Sequence, residues 1–188
     1  VLLSTPVLGL DVEAGAVRGV KTASGTVPVD AVIATPALPM IADWLEPHTP
    51  AQYTQNLRKV EYIANVCLVL ELDRSLSSTY WLNVNDPGFP FVGVIEHTNF
   101  EPTSTYGGRH IVYLSKYLPE SDALYQMSDS EFRDFCVQHL KRMFPEFKNE
   151  WILQSHTWRA THSQPIVAKH YSQLIPDVQA PVDGVYIC

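Results

Sequence analysis

The sequence predicts an α+β fold: a mixed, mainly antiparallel sheet of about five or six strands, with helices packed on one face and a small β-meander attached. Three observations carry this. Short β-branched runs alternate with turn residues through the first block, to about Pro47. Tyr62 to Asp73 alternates as one long strand. Asp129 to Phe144 reads as one well-delimited helix.

In order along the chain, Pro6-Val12, Ala16-Thr22 and Val27-Ile33 read as strands, separated by Glu13-Ala14-Gly15 and Ala23-Ser24-Gly25. Turn residues between such runs are the pattern of a meander. Asp30 to Pro36 is nearly continuous in apolar character, which predicts a strand buried on both faces. Pro39 to Leu45 reads as a short helix, and Thr49-Pro50 as the cap and start of another, to about Leu57. In the long strand, Val66, Leu68 and Leu70 share one face, and Cys67, Val69 and Glu71 the other. Tyr80-Val84, Phe91-Thr98 and His110-Leu118 follow as strands, with turns at Asp86-Pro87-Gly88 and Tyr106-Gly107-Gly108. Connections this short favour antiparallel neighbours. Ser128-x-x-Glu131 is a capping box, and Phe132, Phe135, Cys136, Leu140 and Met143 recur at helical spacing until Pro145 stops the helix. Trp151 to Ala160 reads as a strand broken by Gln164-Pro165, and Gly184-Cys188 as a last strand.

Composition bounds the function. Apolar residues make up 46% of the chain and charged residues 18%, ordinary globular usage that builds a core without disulfides or metals. The net charge is -7 with no basic run, which argues against nucleic acid and anionic membranes as partners. Cys67, Cys136 and Cys188 form no zinc knuckle or disulfide framework. Cys67 and Cys136 read as small core residues, and a reducing, cytoplasmic compartment fits this usage. No apolar stretch approaches the ~20 residues of a membrane span. Both ends are apolar and β-prone, so the chain is expected to be part of a longer polypeptide.

Chemistry-bearing motifs are sparse. Neither G-x-G-x-x-G nor G-x-x-x-x-G-K-[ST] occurs, so no pyrophosphate cradle is expected within these residues. The histidines show no metal-binding spacing, and no nucleophile elbow appears. Glu96-His97-Thr98-Asn99 is the densest polar cluster, at a strand end. Either it hydrogen-bonds a substrate or a flavin-side group, or it is a solvated strand end with Asn99 turning the chain; the second is the commoner case. The aromatics Tyr80, Trp81, Phe89, Phe91, Tyr113, Tyr117, Trp151, Trp158 and Tyr171 either line an apolar cavity or form the core of a sheet packed on helices.

The first block, Val7-Leu8-Gly9-Leu10 through Gly15-Ala16-Val17-Arg18-Gly19-Val20 and Gly25 to Asp30-Ala31-Val32-Ile33-Ala34-Thr35-Pro36, resembles FAD-dependent amine-oxidase-like flavoproteins, the superfamily of protoporphyrinogen oxidase and phytoene-desaturase types. Tyr80-Trp81, Gln164-Pro165 and Gly184-Val185-Tyr186-Ile187 are similar to motifs of the same family. The resemblance implies that 1–47 is a lobe of the FAD-binding domain, 48–177 the substrate-binding domain and 178–188 a strand returning to the FAD domain. It implies FAD as cofactor, with the dinucleotide fingerprint in a preceding segment of the same polypeptide and a flavin-contacting helix after Cys188. It implies that Val7 holds the adenine through its backbone N–H and C=O, and that Thr35 and Pro36 lie beside the ADP part. His97, Asn99 and Tyr117 are the candidates on the substrate side.

One departure narrows the expectation. Amine oxidases of this family carry a lysine near the start of the long strand, whereas Asn65-Val66-Cys67-Leu68-Val69 stands here and no lysine occurs between Lys59 and Lys116. This leans toward a desaturase- or protoporphyrinogen-oxidase-like enzyme that removes hydride from an apolar or conjugated substrate. The alternatives are a non-catalytic module that binds an apolar ligand or carbohydrate on its aromatics, and an interaction domain with no small ligand.

Overall fold

Ala14 and Gly15 reverse the chain with positive φ at both positions, 51° and 80°. This backbone twist suits a two-residue hairpin, and glycine adopts it without steric cost. The hairpin joins β1 (Val7–Glu13) to β2 (Ala16–Thr22), and β3 (Gly25–Pro28) completes an antiparallel meander. The computed structural model describes residues 1–188, and packing divides them into two units: Val1–Glu61 with Pro165–Cys188, and Tyr62–Gln164.

In the first unit, the expected strand Val27-Ile33 is in fact two strands in different sheets. Pro28 has no N–H with which to extend the meander. Val32 instead donates to the Gly184 carbonyl at 2.8 Å. β4 (Val32–Ala34) thus pairs in parallel with β10 (Val185–Ile187). Nor is β4 buried on both faces: Ala34 is buried, but Ile33 is 70% exposed, because β10 is its single neighbour and nothing covers that side. Gly184 is required at the crossing. Its φ is +78°, and a Cβ there would lie 2.9 Å from Val17 Cγ1 and 3.0 Å from the Asp30 carbonyl.

Helix α1 (Leu38–Leu45) buries Leu38, Ile41, Ala42 and Leu45, one stripe at helical spacing. Helix α2 (Ala51–Leu57) follows. Thr49 does not cap it: the N-cap is Pro50, and the Thr49 hydroxyl donates back to the Leu45 carbonyl at 3.0 Å.

The second unit is built on β5 (Tyr62–Leu72), β6 (Trp81–Asn83), β7 (Gly93–Glu96), β8 (His110–Leu118) and β9 (Ile152–Pro165), in the order β6-β7-β8-β5-β9. The first three neighbouring pairs are antiparallel. β9 runs on through Gln164-Pro165, which the edge of a sheet tolerates because no further strand needs the missing N–H. Burial along β5 alternates as the sequence predicts, with Val66, Leu68, Leu70 and Leu72 fully buried. Against them pack Phe132, Cys136, Val137 and Leu140 of α4 (Asp129–Met143), which follows the short α3 (Ala123–Gln126). Phe135 lies at the border of this stripe, half-buried against the His139 ring at 4.5 Å. The fold is therefore α+β, with a mainly antiparallel sheet.

The capping box on α4 is complete. Ser128 Oγ accepts from the Glu131 N–H at 3.3 Å, and Glu131 Oε2 accepts from the Ser128 N–H at 2.9 Å. Ser128→Ala is expected to cost about 1 kcal/mol, read as a lower urea midpoint with unchanged slope. No helix is long and apolar enough to cross a membrane.

Candidate functional site

With one face of the five-stranded sheet covered by α4, strand alternation leaves a second face to which every other residue points. Register assigns its members, since residues directly opposite in antiparallel strands share a face. One row reads Trp81, Ile95, Tyr113, Val69, and the next reads Asn83, Gly93, Ser115, Cys67. Beyond it Tyr117 stands opposite Asn65. Three neighbours in the middle row, Gly93, Ser115 and Cys67, are small. This row of small side chains, the trough, is flanked in register by Tyr113, Ile95 and Trp81 on one side and by Tyr117 on the other.

The trough is chemically quiet. Asn65 Nδ2 donates to Ser115 Oγ at 2.9 Å, and Trp81 Nε1 donates to Asn83 Oδ1 at 2.8 Å. Burial pushes the Cys67 thiol up to about 11, so it stays protonated and acts as an apolar surface atom. Cys67 is thus half-buried on this face, whereas Cys136 is a true core residue. Burial, with the nearby Tyr106 second, also raises the Tyr113 phenol above its usual range. Lys116 is not on this face: it pairs with Val66 in register, and its ammonium donates to the Phe89 carbonyl at 3.3 Å.

At one end of the face, Glu71 accepts from Arg109 and lies 3.2 Å from His156 Nε2. Those contacts, the Arg109 bond first, hold its carboxyl below the usual range. The three residues are too far apart in sequence for a motif to reveal them.

The polar cluster at the end of β7 divides by role. Glu96 is 1% exposed, so it is not a solvated strand end. Its carboxylate accepts from Ser75 Oγ at 2.7 Å, the Leu76 N–H at 3.0 Å and the Ser77 N–H at 2.7 Å, and His110 Nδ1 lies 3.6 Å away. Thr98 Oγ1 accepts from the Ile111 N–H at 3.1 Å. Asn99 donates both amide hydrogens to carbonyls, Ser77 at 2.8 Å and Thr79 at 3.1 Å, leaving its oxygen for any other contact. His97 meets the Tyr106 hydroxyl at 2.7 Å and packs against Tyr113 at 5.7 Å. His97 thus stands behind the trough flank, Asn99 braces the loop leading to Tyr80 and Trp81, and Tyr117 is on the face itself. Period-two alternation already marks Cys67, Val69 and Glu71 as one side of β5; what the sequence lacks is the pairing that adds Gly93 and Ser115.

In the first unit, Thr35 and Pro36 follow the carboxyl end of β4, the end of a parallel strand where α/β sheets hold cofactors. Val7 opens β1 beside a register shift that frees backbone from the ladder. These residue types fit the adenosine end of a dinucleotide. Nothing among residues 1–188 supplies the glycine-rich cradle for its pyrophosphate.

The family model for flavin containing amine oxidoreductases matches residues 1–188. The chain belongs to that family, and FAD is the cofactor the membership implies. No curated protein matches the chain. Among solved structures it is similar to an oxidoreductase from Methanosarcina mazei, at 20% identity and TM-score 0.65 over 97% of this chain and 43% of that one. A proposed protoporphyrinogen oxidase from an Exiguobacterium species aligns at 18% identity and TM-score 0.66, over 98% of this chain and 41% of the other. Glycine oxidase from Bacillus cereus aligns at 15% identity and TM-score 0.55, over 98% and 43%. These likenesses establish the fold. The chain spans less than half the length of each of these structures.

Proposed function

We propose that the protein is an FAD-dependent oxidoreductase of the desaturase or protoporphyrinogen-oxidase type, removing hydride from an apolar or conjugated substrate. In this reading the five-stranded sheet is the substrate wall, and residues 1–47 and 178–188 belong to the FAD-binding domain. The dinucleotide fingerprint is supplied by the rest of the same polypeptide. The observation that carries the reading is the lysine-free trough on the open face of the sheet. It has apolar and aromatic flanks, and its one carboxylate, Glu71, sits at the end already bonded to Arg109 and His156.

FAD, when bound, supplies the two-electron acceptor that this chemistry requires. The chain's own residues do the rest. Val7, Thr35 and Pro36 hold the adenosine end. Gly93, Ser115 and Cys67 give a flat substrate room to lie against the sheet, while Tyr113, Trp81 and Tyr117 exclude water and orient it. His97 positions Tyr113, and Asn99 positions the Tyr80-Trp81 segment.

The test is anaerobic reduction of the flavin-loaded protein by protoporphyrinogen IX, compared with benzylamine. Bleaching by the macrocycle, as its methylene bridges are oxidised, and not by the amine is expected; rapid bleaching by benzylamine alone would overturn the substrate class. Gly93→Leu, which fills the trough, is expected to raise KM for the macrocycle about tenfold or more while flavin content stays constant.

A further inference from the structure

We infer that Asn65 and Ser115 are specificity-determining residues. They form a neutral donor–acceptor pair in the trough, which selects a flat, unsaturated molecule carrying a hydrogen-bond acceptor beside a donor on one edge, as a lactam does, over a hydrocarbon. The inference rests on the trough being the substrate wall, and it adds the polar feature that the substrate carries there.

Both side chains stand on the open face. Ser115 lies between Gly93 and Cys67 in register, in the middle of the row of small residues, and Asn65 is diagonal to it on β5. Asn65 Nδ2 donates to Ser115 Oγ at 2.9 Å, and no other hydrogen bond reaches either side chain. The Ser115 hydroxyl hydrogen is left as a donor and Asn65 Oδ1 as an acceptor. Turning the amide end for end exchanges which residue supplies which, and a donor and an acceptor still remain. Both residues are half-buried, so water satisfies these groups while the face is open. A hydrocarbon lying on the sheet strips that water and returns nothing, whereas a ligand with the matching edge restores both bonds.

The surroundings call for a neutral edge. Burial pushes the Cys67 thiol up to about 11 and raises the Tyr113 phenol, so both stay uncharged. Trp81 Nε1 is already taken by Asn83 and does not compete for the ligand. Lys116 is on the opposite face, and the charged residue of β5, Glu71, is bonded to Arg109 and His156.

The experiment is equilibrium dialysis of the flavin-loaded full gene product against 2-quinolone, N-methyl-2-quinolone and naphthalene. All are flat; the first has an N–H beside its carbonyl, the second lacks the donor and the third lacks both. The expected result is that 2-quinolone binds about tenfold more tightly than naphthalene, with the N-methyl compound between them. Replacing the pair together, Asn65→Leu with Ser115→Ala, should abolish the preference by weakening 2-quinolone while naphthalene binds as well or better. Gly93→Leu should weaken all three, which assigns the binding to the trough. Naphthalene binding the unaltered protein as tightly as 2-quinolone, a result that needs no variant to fold, would overturn the inference, as would a preference that survives the paired replacement; weakening of both ligands by Gly93→Leu would leave the substrate wall standing in either case. Binding that Gly93→Leu does not change, or no binding of any of the three, would overturn the wall and the inference together.

Discussion

Glu96→Ala is expected to destabilise the protein by about 3 kcal/mol, one of the two largest single-residue effects we anticipate. The carboxylate is 1% exposed and accepts three hydrogen bonds, two of them from backbone N–H groups. It holds residues 75–77 against the end of β7. Alanine leaves the buried Leu76 N–H without its acceptor, and it takes away the carboxylate beside His110, whose Nδ1 is buried without a hydrogen bond. Glu96→Gln keeps one acceptor oxygen and should cost roughly half as much. Urea unfolding distinguishes the two. A cost below about 1 kcal/mol for the alanine variant would mean that the loop is held by something else.

Phe132→Ala is expected to cost about 4 kcal/mol. The ring is fully buried on α4 and belongs to the cluster that includes Leu68, Leu70, Val112 and Leu114 of the sheet. Its removal takes away both the transfer free energy and the packing that holds the helix on the sheet. Phe135→Ala, one turn further along but half-buried, should cost less than half as much. Equal costs at the two positions would contradict the assignment of the buried stripe.

The parts of this fold that sequence reasoning recovers are local. The meander, the alternation of β5 and the capped α4 each depend on residues within a few positions of one another, and period, turn chemistry and caps report such structure directly. Long-range pairing escapes it. Val27 to Ile33 looks like one strand, and only the arrival of β10, about 150 residues later in the chain, draws Val32–Ala34 into another sheet. The trough escapes for the same reason: Cys67 and Ser115 are partners 48 positions apart, and nothing local marks Gly93 as their neighbour. Glu96 shows the opposite failure. A glutamate at a strand end reads as solvated, and only the loop folding over it buries the carboxylate.

On the proposed function, the trough accounts for a chain with so few motif residues. When the electrons leave to a bound cofactor, the protein needs to supply a dry, shaped surface more than an acid or a nucleophile. Small residues in the middle row and aromatics on the flanks are what such a surface requires.

The central claim is that this chain forms part of a flavoenzyme. Its most direct test is the visible spectrum of the full gene product after gel filtration. A retained flavin absorbance, with about one FAD per chain, is the expected result. A colourless protein that takes up no added FAD would contradict the account.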